Sequence, residues 1–187
     1  MKPSEKIILH LCAKEGSDSK PYRDAGYDVR IIGEDIGVEN YHPPENVYGI
    51  IANPPCTMFS IARSNAKTPR DLREGMRLVK ECLRIIWECQ FHSDGYTPML
   101  EFWCLENPGT GFLRWFLGEP VFEYSQDEYG ADYPKKTALW GTFNLPKRPL
   151  LVSPFARGYG KKWKPQDMQT RSRCPINFAM AFFEANP

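Results

Sequence analysis

The chain has 187 residues, a length that suits one domain with a substantial hydrophobic core. Its 24 Lys and Arg residues nearly balance 23 Asp and Glu residues, and the formal net charge of +1 argues against a large nonspecific DNA-binding surface. No stretch approaches the ~20 apolar residues of a membrane span, and the first residues lack the apolar core of a signal peptide. We therefore expect a cytoplasmic protein with no membrane partner.

Strands and helices alternate in the apolar pattern. Six strands are predicted, at 7–12, 29–32, 47–52, 102–105, 122–125 and 137–141. Helices are predicted between and after them, at 22–25, 69–91, 112–117 and 176–184. The segment 146–171 is rich in Pro, Gly, Lys and Arg and is predicted to be irregular. The alternation predicts a single α/β domain over 1–187 with a doubly wound sheet.

Cysteine and histidine spacing argues against a metal site. The six cysteines form no CxxC pair, and the three histidines stand beside no plausible set of ligands. We therefore expect no bound metal, and thiols that stay reduced in a reducing compartment.

Cys56 follows the predicted strand at 47–52 through the turn Asn53-Pro54-Pro55. Each proline fixes its own φ and removes a backbone donor, so the turn is stiff. It holds the thiol just past the carboxyl end of a strand, where open α/β sheets bind their ligands. A later predicted strand ends in Glu106-Asn107-Pro108. A nucleophile and an acid at two strand ends indicate a catalytic site, and the structural alternatives are an inert buried cysteine and a helix-capping glutamate.

These motifs resemble those of the DNA (cytosine-5) methyltransferases, especially short phage or prophage members. Pro54-Pro55-Cys56 is similar to the nucleophile loop of that family, and Leu105-Glu106-Asn107-Pro108 is similar to its Glu-Asn motif. Lys136-Thr137 falls where the family has a basic substrate-binding strand, and 173–179 resembles its closing segment beside the first strand. The similarity keeps the order of the family over nearly the whole chain.

The resemblance implies a Rossmann-like sheet of the methyltransferase type and methyl transfer to carbon 5 of cytosine in DNA. Cys56 would add to carbon 6 as a thiolate, and Glu106 would hydrogen-bond the ring nitrogen N3. A cytosine in a duplex would have to be flipped out. The implied cofactor is S-adenosylmethionine, with candidate binding residues Cys12, Ala13, Gly16, Ser17, Asp35 (or Glu34), Asn53 and Pro54. The candidate substrate-binding residues are Ser60, Asn107, Lys136 and Thr137.

Two features depart from the family pattern. Lys14 stands at the first glycine of the expected cofactor loop, and too few residues separate Gly141 from Cys174 for a target-recognition domain. We therefore expect loose sequence specificity, a preference for single-stranded DNA, or specificity supplied by a partner protein. The basic and aromatic residues of 146–171 suit phosphates and stacked bases, although a solvated loop explains them equally well. If a phage encodes the chain, the compartment is the host cytoplasm.

Two alternative functions stay open. One is an amino-methyltransferase, which would use Asn53-Pro54-Pro55 to hold the exocyclic amine of a base. Such enzymes normally follow the prolines with an aromatic residue that stacks on the base, and Cys56 at this position has no aromatic face. The other is a catalytically decayed domain that binds nucleic acid or a partner protein, which Lys14 and the missing recognition domain would suit.

Overall fold

The computed structural model describes residues 1–91, 99–149, 170 and 172–187. The strands are β1 (Ile7–Leu11), β2 (Asp28–Ile32), β3 (Val47–Ala52), β4 (Phe102–Pro108), β5 (Phe122–Ser125) and β6 (Lys136–Thr142). The α-helices in the described part are α1 (Lys20–Asp24), α2 (Leu72–Gln90), α3 (Arg114–Leu117) and α4 (Ile176–Ala185). All six strands belong to one sheet, so the prediction of an α/β fold is confirmed.

The sheet has the strand order β2-β1-β3-β4-β6-β5. Its first four strands are parallel, whereas β6 runs antiparallel to β4 and β5 runs antiparallel to β6. From β1 the chain passes to the edge strand β2 and then returns to the other side of β1 as β3. The strand order therefore reverses between β1 and β3. At such a switch point, the carboxyl ends of the strands form the crevice in which open α/β sheets bind ligands.

Helices cover both faces of the sheet. Helix α2 packs on the face that carries Leu9, Leu11 and Leu105. Helices α1 and α4 cover the opposite face, which carries Ile8 and Cys104. Successive strand residues point to opposite faces, and this period of two divides the apolar residues between two cores.

Helix α4 is held by aromatic packing and by its carboxyl end. The ring of Phe178 stacks on Tyr124 with centroids 3.9 Å apart, and Phe182 meets the ring of Phe102 at 5.7 Å. The hydroxyl of Tyr22 donates to the carbonyl of Asn186 at 2.7 Å. The closing helix is therefore part of the second core.

Most element boundaries differ from those predicted by a few residues, and three of these differences have a clear local reason. β1 ends at Leu11 because Cys12 adopts a left-handed φ of 58°. β4 extends to Pro108 because β6 offers it an antiparallel partner as far as Thr137. α2 begins at Leu72 because Asp71 caps it, with its carboxylate accepting from the Glu74 N–H at 2.9 Å.

The irregular segment predicted at 146–171 falls mostly outside the described residues. Residues 146–149 are described and have no regular secondary structure. The expectations for 150–169 and 171 therefore stay predictions.

Candidate active site

The turn that carries Cys56 is fixed at both ends. At its start, the Asn53 N–H donates to the carbonyl of Leu11 at 2.9 Å, which extends the pairing of β3 with β1. At its end, the carbonyl of Cys56 accepts from the N–H groups of Phe59 and Ser60 at 2.9 and 2.8 Å. The Phe59 side chain is fully buried and anchors this turn in the core. Cys56 is therefore held, half-buried, at the carboxyl end of β3 beside the switch point.

Asn107 connects the Cys56 turn to β4. Its side chain is buried, and its Nδ2 donates to the carbonyl of Pro54 at 3.0 Å. Its Oδ1 is also buried and has no hydrogen-bond partner among the described residues. An unpaired buried acceptor is costly, and a ligand with a donor at this position would satisfy it.

Glu106 lies beyond the end of β3, although it belongs to β4. The pairing of β3 with β4 stops at Ala52 and Leu105, whereas β4 continues beside β6, where Glu106 lies opposite Leu139. The carboxylate therefore projects at the open end of the parallel part of the sheet. The sequence predicted that Glu106 follows the strand at 102–105, whereas Glu106 lies inside β4, which continues to Pro108.

Lys135 forms an ion pair with Glu106. Its Nζ lies 3.6 Å from Oε1 of Glu106, and the two side chains are only 14% and 21% exposed. Burial lowers the pKa of Lys135, but the charges of Glu106, Cys56 and other acidic groups nearby raise it by more, so the net pKa is raised. Lys135 therefore carries its charge beside both predicted catalytic residues and favours the thiolate form of Cys56.

Sequence reasoning singled out Lys136 and missed Lys135. The Lys136 side chain is exposed, and its backbone pairs with Ser125 in the β5–β6 ladder. Adjacent residues at a strand start point to opposite faces, so only one of two consecutive lysines can face the site. The pair Lys135-Lys136 was the available signal, but the sequence alone does not say which member points inward.

A buried polar network links the loops after β1 and β3. In β1, His10 is almost fully buried, with Nδ1 2.8 Å from Oγ of Ser19 and Nε2 2.6 Å from Oδ1 of Asn53. Its Nε2 also lies 3.4 Å from Oδ2 of Asp18. Burial raises the pKa of Asp18. The hydrogen bond and charge of His10 lower it by more, with smaller contributions from Cys174 and Asn53, so the net pKa is lowered. Asp18 is therefore ionised at neutral pH.

The predicted cofactor loop turns at Cys12 and Gly16. Both residues have left-handed φ angles, of 58° and 67°, whereas Lys14 is exposed and does not. A Cβ on Gly16 would also lie 2.7 Å from Cδ1 of Ile31, so this position needs glycine. A lysine therefore fits at position 14 without backbone strain, since the left-handed residues of the turn are Cys12 and Gly16.

The other predicted cofactor residues are divided between this loop and its neighbours. The hydroxyl of Ser17 accepts from the Cys174 N–H at 3.2 Å, which joins the loop to the segment before α4. Ala13 is buried, and Asp35 is exposed on the loop after β2. A Cβ on Gly33 would lie 2.9 Å from both the Ala13 carbonyl and a carboxylate oxygen of Asp35, so these two loops meet at Gly33.

Ser60 and Thr137 have local structural contacts. The Ser60 Oγ accepts from the Ala62 N–H at 3.2 Å and caps the short 3-10 helix Ile61–Asn65. Thr137 is buried, and its hydroxyl donates to the carbonyl of Lys135 at 3.4 Å. Thr137 therefore supports the backbone from which Lys135 projects.

A cleft lies between the sheet and α4 at this end of the molecule. Its polar lining comes from Asp18, Asn53 and Glu106. The remainder of the lining is mostly apolar and consists of Ile51, Cys104, Tyr124, Leu139, Cys174, Phe178, Ala179 and Phe182. The cleft volume of about 20 Å³ has room for about one water molecule, so a small-molecule ligand would require the cleft to widen.

The described residues contain neither a metal-binding cluster nor a membrane-spanning helix. Within 1–91, 99–149, 170 and 172–187, no three His, Cys, Asp or Glu side chains are grouped so that they could hold a metal ion. Over the same ranges, no helix is long and apolar enough to cross a membrane.

Comparison with known proteins adds no family assignment. The chain matches no protein-family model, and no curated protein matches it. The resemblance to the cytosine methyltransferases therefore rests on the motifs quoted above.

Proposed function

We propose that this protein transfers a methyl group from S-adenosylmethionine to carbon 5 of cytosine in DNA, through a covalent adduct with Cys56. The observation that carries the proposal is that Cys56 and Glu106 lie at the carboxyl ends of the neighbouring strands β3 and β4, with the Nζ of Lys135 3.6 Å from Oε1 of Glu106. A nucleophile, an acid and a cation converge there beside the switch point of the sheet. The strand order supports a Rossmann-like methyltransferase sheet, since doubly wound sheets bind nucleotides at that point.

Carbon 5 of cytosine is a poor nucleophile, and the proposed residues make it more nucleophilic. The Cys56 thiolate adds to carbon 6, and the electrons of the ring double bond then make carbon 5 enamine-like. The Glu106 carboxyl, hydrogen-bonded at N3, compensates the charge that develops on the ring. After carbon 5 has gained the methyl group, a base removes its proton, and the returning electron pair expels Cys56 as thiolate. Lys135 stabilises that thiolate before addition and after release.

The loops after β1 and β2 and the polar end of the cleft offer groups that suit the cofactor, whose binding would require the small cleft to widen. When bound, S-adenosylmethionine supplies an electrophilic methyl group. Asp35, where the loops after β1 and β2 meet, can accept hydrogen bonds from ribose hydroxyls. The ionised carboxylate of Asp18 lines the cleft and suits the positive charges of the cofactor. The left-handed turn at Gly16 and the contact at Gly33 bring two backbone loops together there.

The amino-methyltransferase reading is less well supported by the same contacts. That reaction needs Asn53 and Pro54 to hold an amine, yet Asn53 Oδ1 lies 2.6 Å from His10 Nε2 and the Pro54 carbonyl already accepts from Asn107. It also gives Cys56 no role. Carbon 5 of cytosine therefore remains the better target.

The product of the reaction tests the proposal. Protein, S-adenosylmethionine labelled in the methyl group and cytosine-containing DNA, offered single-stranded and as a duplex, are incubated and the DNA is digested to nucleosides. Label in 5-methyldeoxycytidine is expected. Label in N4-methyldeoxycytidine or N6-methyldeoxyadenosine would favour the amino-methyltransferase. No label, together with no heat of S-adenosylmethionine binding in calorimetry, would favour a decayed binding domain.

A further inference from the structure

An exposed aromatic surface adjoins the Cys56 turn. Trp115 and Phe116 of α3 are 79% and 47% exposed, although both are large apolar side chains. The Trp115 ring lies edge-on to Phe112, with centroids 5.3 Å apart. Isolated apolar residues on a surface are ordinary, but a contiguous aromatic group marks an interaction site.

Backbone and ring contacts fix this aromatic group to the catalytic turn. The Phe112 N–H donates to the carbonyl of Phe59 at 3.0 Å, and the Phe59 ring meets Phe116 at 6.1 Å. Arg70 donates to the carbonyls of Met58 and Ser60 at 2.6 and 3.0 Å. The Arg70 guanidinium also lies 4.7 Å from the centre of the Phe112 ring. The loop after Cys56 and the residues before α3 therefore form one connected surface.

The segment 61–73, which Arg70 joins to this surface, is locally basic in a chain whose formal net charge is only +1. Residues 61–73 contain Arg63, Lys67, Arg70 and Arg73 against a single carboxylate, Asp71. In the described part of the chain, none of these four cations is within ion-pair distance of a carboxylate. The Asp71 carboxylate is engaged as the cap of α2.

The four cations divide into two structural and two exposed ones. Arg63 donates to Thr68 and Pro69, and Arg70 donates to the Cys56 turn, so both hold the loop in place. Lys67 and Arg73 are exposed at the surface. A positive surface with exposed aromatic rings is complementary to a polyanion whose bases are accessible.

We propose that this aromatic-basic surface, formed by Lys67, Arg73, Phe112, Trp115 and Phe116, binds single-stranded DNA and presents it to Cys56. Bases stack on Trp115, and Lys67 and Arg73 contact phosphates. A single strand exposes the faces of its bases, whereas a duplex hides them between neighbouring pairs. The inference rests on the proposed function and adds the form of the substrate. It also assigns DNA binding to described residues outside 146–171.

Substitution of two exposed tryptophans tests whether this surface binds DNA. Trp115→Ala is the test variant, and Trp87→Ala is its matched control because Trp87 is 70% exposed near the carboxyl end of α2, beside Phe91. Binding of a fluorescein-labelled single strand of about 12 nucleotides, a length within the usual site size, is measured by anisotropy without cofactor. We expect Trp115→Ala to weaken binding about 5- to 150-fold, with Trp87→Ala equal to the unsubstituted protein. The double variant Lys67→Ala/Arg73→Ala should lower the slope of log Kd against log salt by about 1.4.

Three results would overturn the proposal. Trp115→Ala could bind the single strand as tightly as the Trp87→Ala control does. A duplex of the same sequence could bind more tightly, with no dependence on Trp115. Trp115→Ala could instead convert a dimer to a monomer in size-exclusion chromatography without changing DNA binding, which would make the surface a contact between two copies of the chain.

The product assay separates this inference from the proposed function. If the unsubstituted protein makes 5-methyldeoxycytidine while Trp115→Ala binds DNA normally, the function stands and the surface assignment is wrong. If binding depends on Trp115 but no 5-methyldeoxycytidine forms, the surface assignment stands and the function is wrong.

Discussion

The Nζ of Lys135 lies 3.6 Å from Oε1 of Glu106, in a position where both side chains are largely shielded from water. Glu106 belongs to β4 and Lys135 immediately precedes β6, and the register of β4 with β6 brings the two residues together. Their contact gives the candidate site a fixed positive charge next to Cys56.

Replacing Lys135 should impair catalysis more than replacing Lys136. Lys135→Met keeps the length of the side chain but removes the charge that favours the Cys56 thiolate, so we expect kcat to fall about 10²–10³-fold, as for loss of a comparable electrostatic contact. The pH–rate profile should also shift to higher pH, because more hydroxide is then needed to form the thiolate. Lys136→Met changes the exposed neighbour and should have a much smaller effect. Equal losses, or a larger loss in Lys136→Met, would contradict the placement of Lys135.

Glu106→Gln tests the acid at N3. The substitution preserves shape but removes the carboxyl group that compensates charge on the ring, and we expect kcat to fall by about 10²–10³-fold. Glu119→Gln is the matched control, since Glu119 is highly exposed and pairs only at the surface with Arg114. Methyl transfer by both variants is compared with their thermal unfolding. If the rate of Glu106→Gln stays within about threefold of the unsubstituted rate, a loss far smaller than the expected ~10²–10³-fold, Glu106 is only a structural residue.

The Asp18–His10 pair should stabilise the protein in a pH-dependent way. The pKa of Asp18 is lowered below its ordinary value of 3.8, so its stabilisation is fully present above pH 3.8 and is lost as the pH falls through the lower folded value. Asp18→Asn should therefore reduce the free energy of unfolding at neutral pH, and the difference from the unsubstituted protein should shrink in acid. Urea unfolding across that range measures it. Asp24→Asn, at an exposed ion pair with Lys20, should change stability by at most about 1 kcal/mol. If the difference in the free energy of unfolding between Asp18→Asn and the unsubstituted protein does not vary with pH, the Asp18–His10 pair is not a source of pH-dependent stability.

Helix α4 should support both folding and cofactor binding. Phe178 is buried against Tyr124 and lines the cleft, so Phe178→Ala should cost about 3–5 kcal/mol of stability and weaken S-adenosylmethionine binding. Met180→Ala changes an exposed residue on the same helix and is the control. Calorimetry at a temperature where each variant stays folded separates the two effects. A chain that lacks 172–187, yet stays folded and binds the cofactor with unchanged affinity, would show that α4 has no part in the pocket.

Local patterns in the sequence predicted much of the fold. The strands at 47–52 and 122–125 were predicted with the bounds that the structure gives, because punctuating residues delimit each apolar run. The position of Cys56 at the carboxyl end of β3 also followed from its neighbours in the chain, since two prolines stop that strand. These features depend on residues close in sequence.

Features set by distant residues could not be predicted in the same way. The extension of β4 to Pro108 depends on β6, and the choice between Lys135 and Lys136 depends on the register of that pairing. The contacts of His10 with Asp18 and Asn53 join two loops that only the folded sheet brings together. In each case a local pattern fits more than one arrangement, and the tertiary partner selects one.

In the proposed reaction, Cys56 forms a covalent bond to carbon 6 of cytosine. The most direct measurement is intact-mass and peptide analysis of the protein after incubation with S-adenosylmethionine and a single strand containing 5-fluorocytosine. Fluorine at carbon 5 cannot leave as a proton does, so the adduct should accumulate. We predict one oligonucleotide attached to the peptide that contains Cys56, and no adduct with Cys56→Ala, whose unfolding curve should match that of the unsubstituted protein. An adduct on another cysteine, or methylation of cytosine by Cys56→Ala at the unsubstituted rate, would contradict the claim.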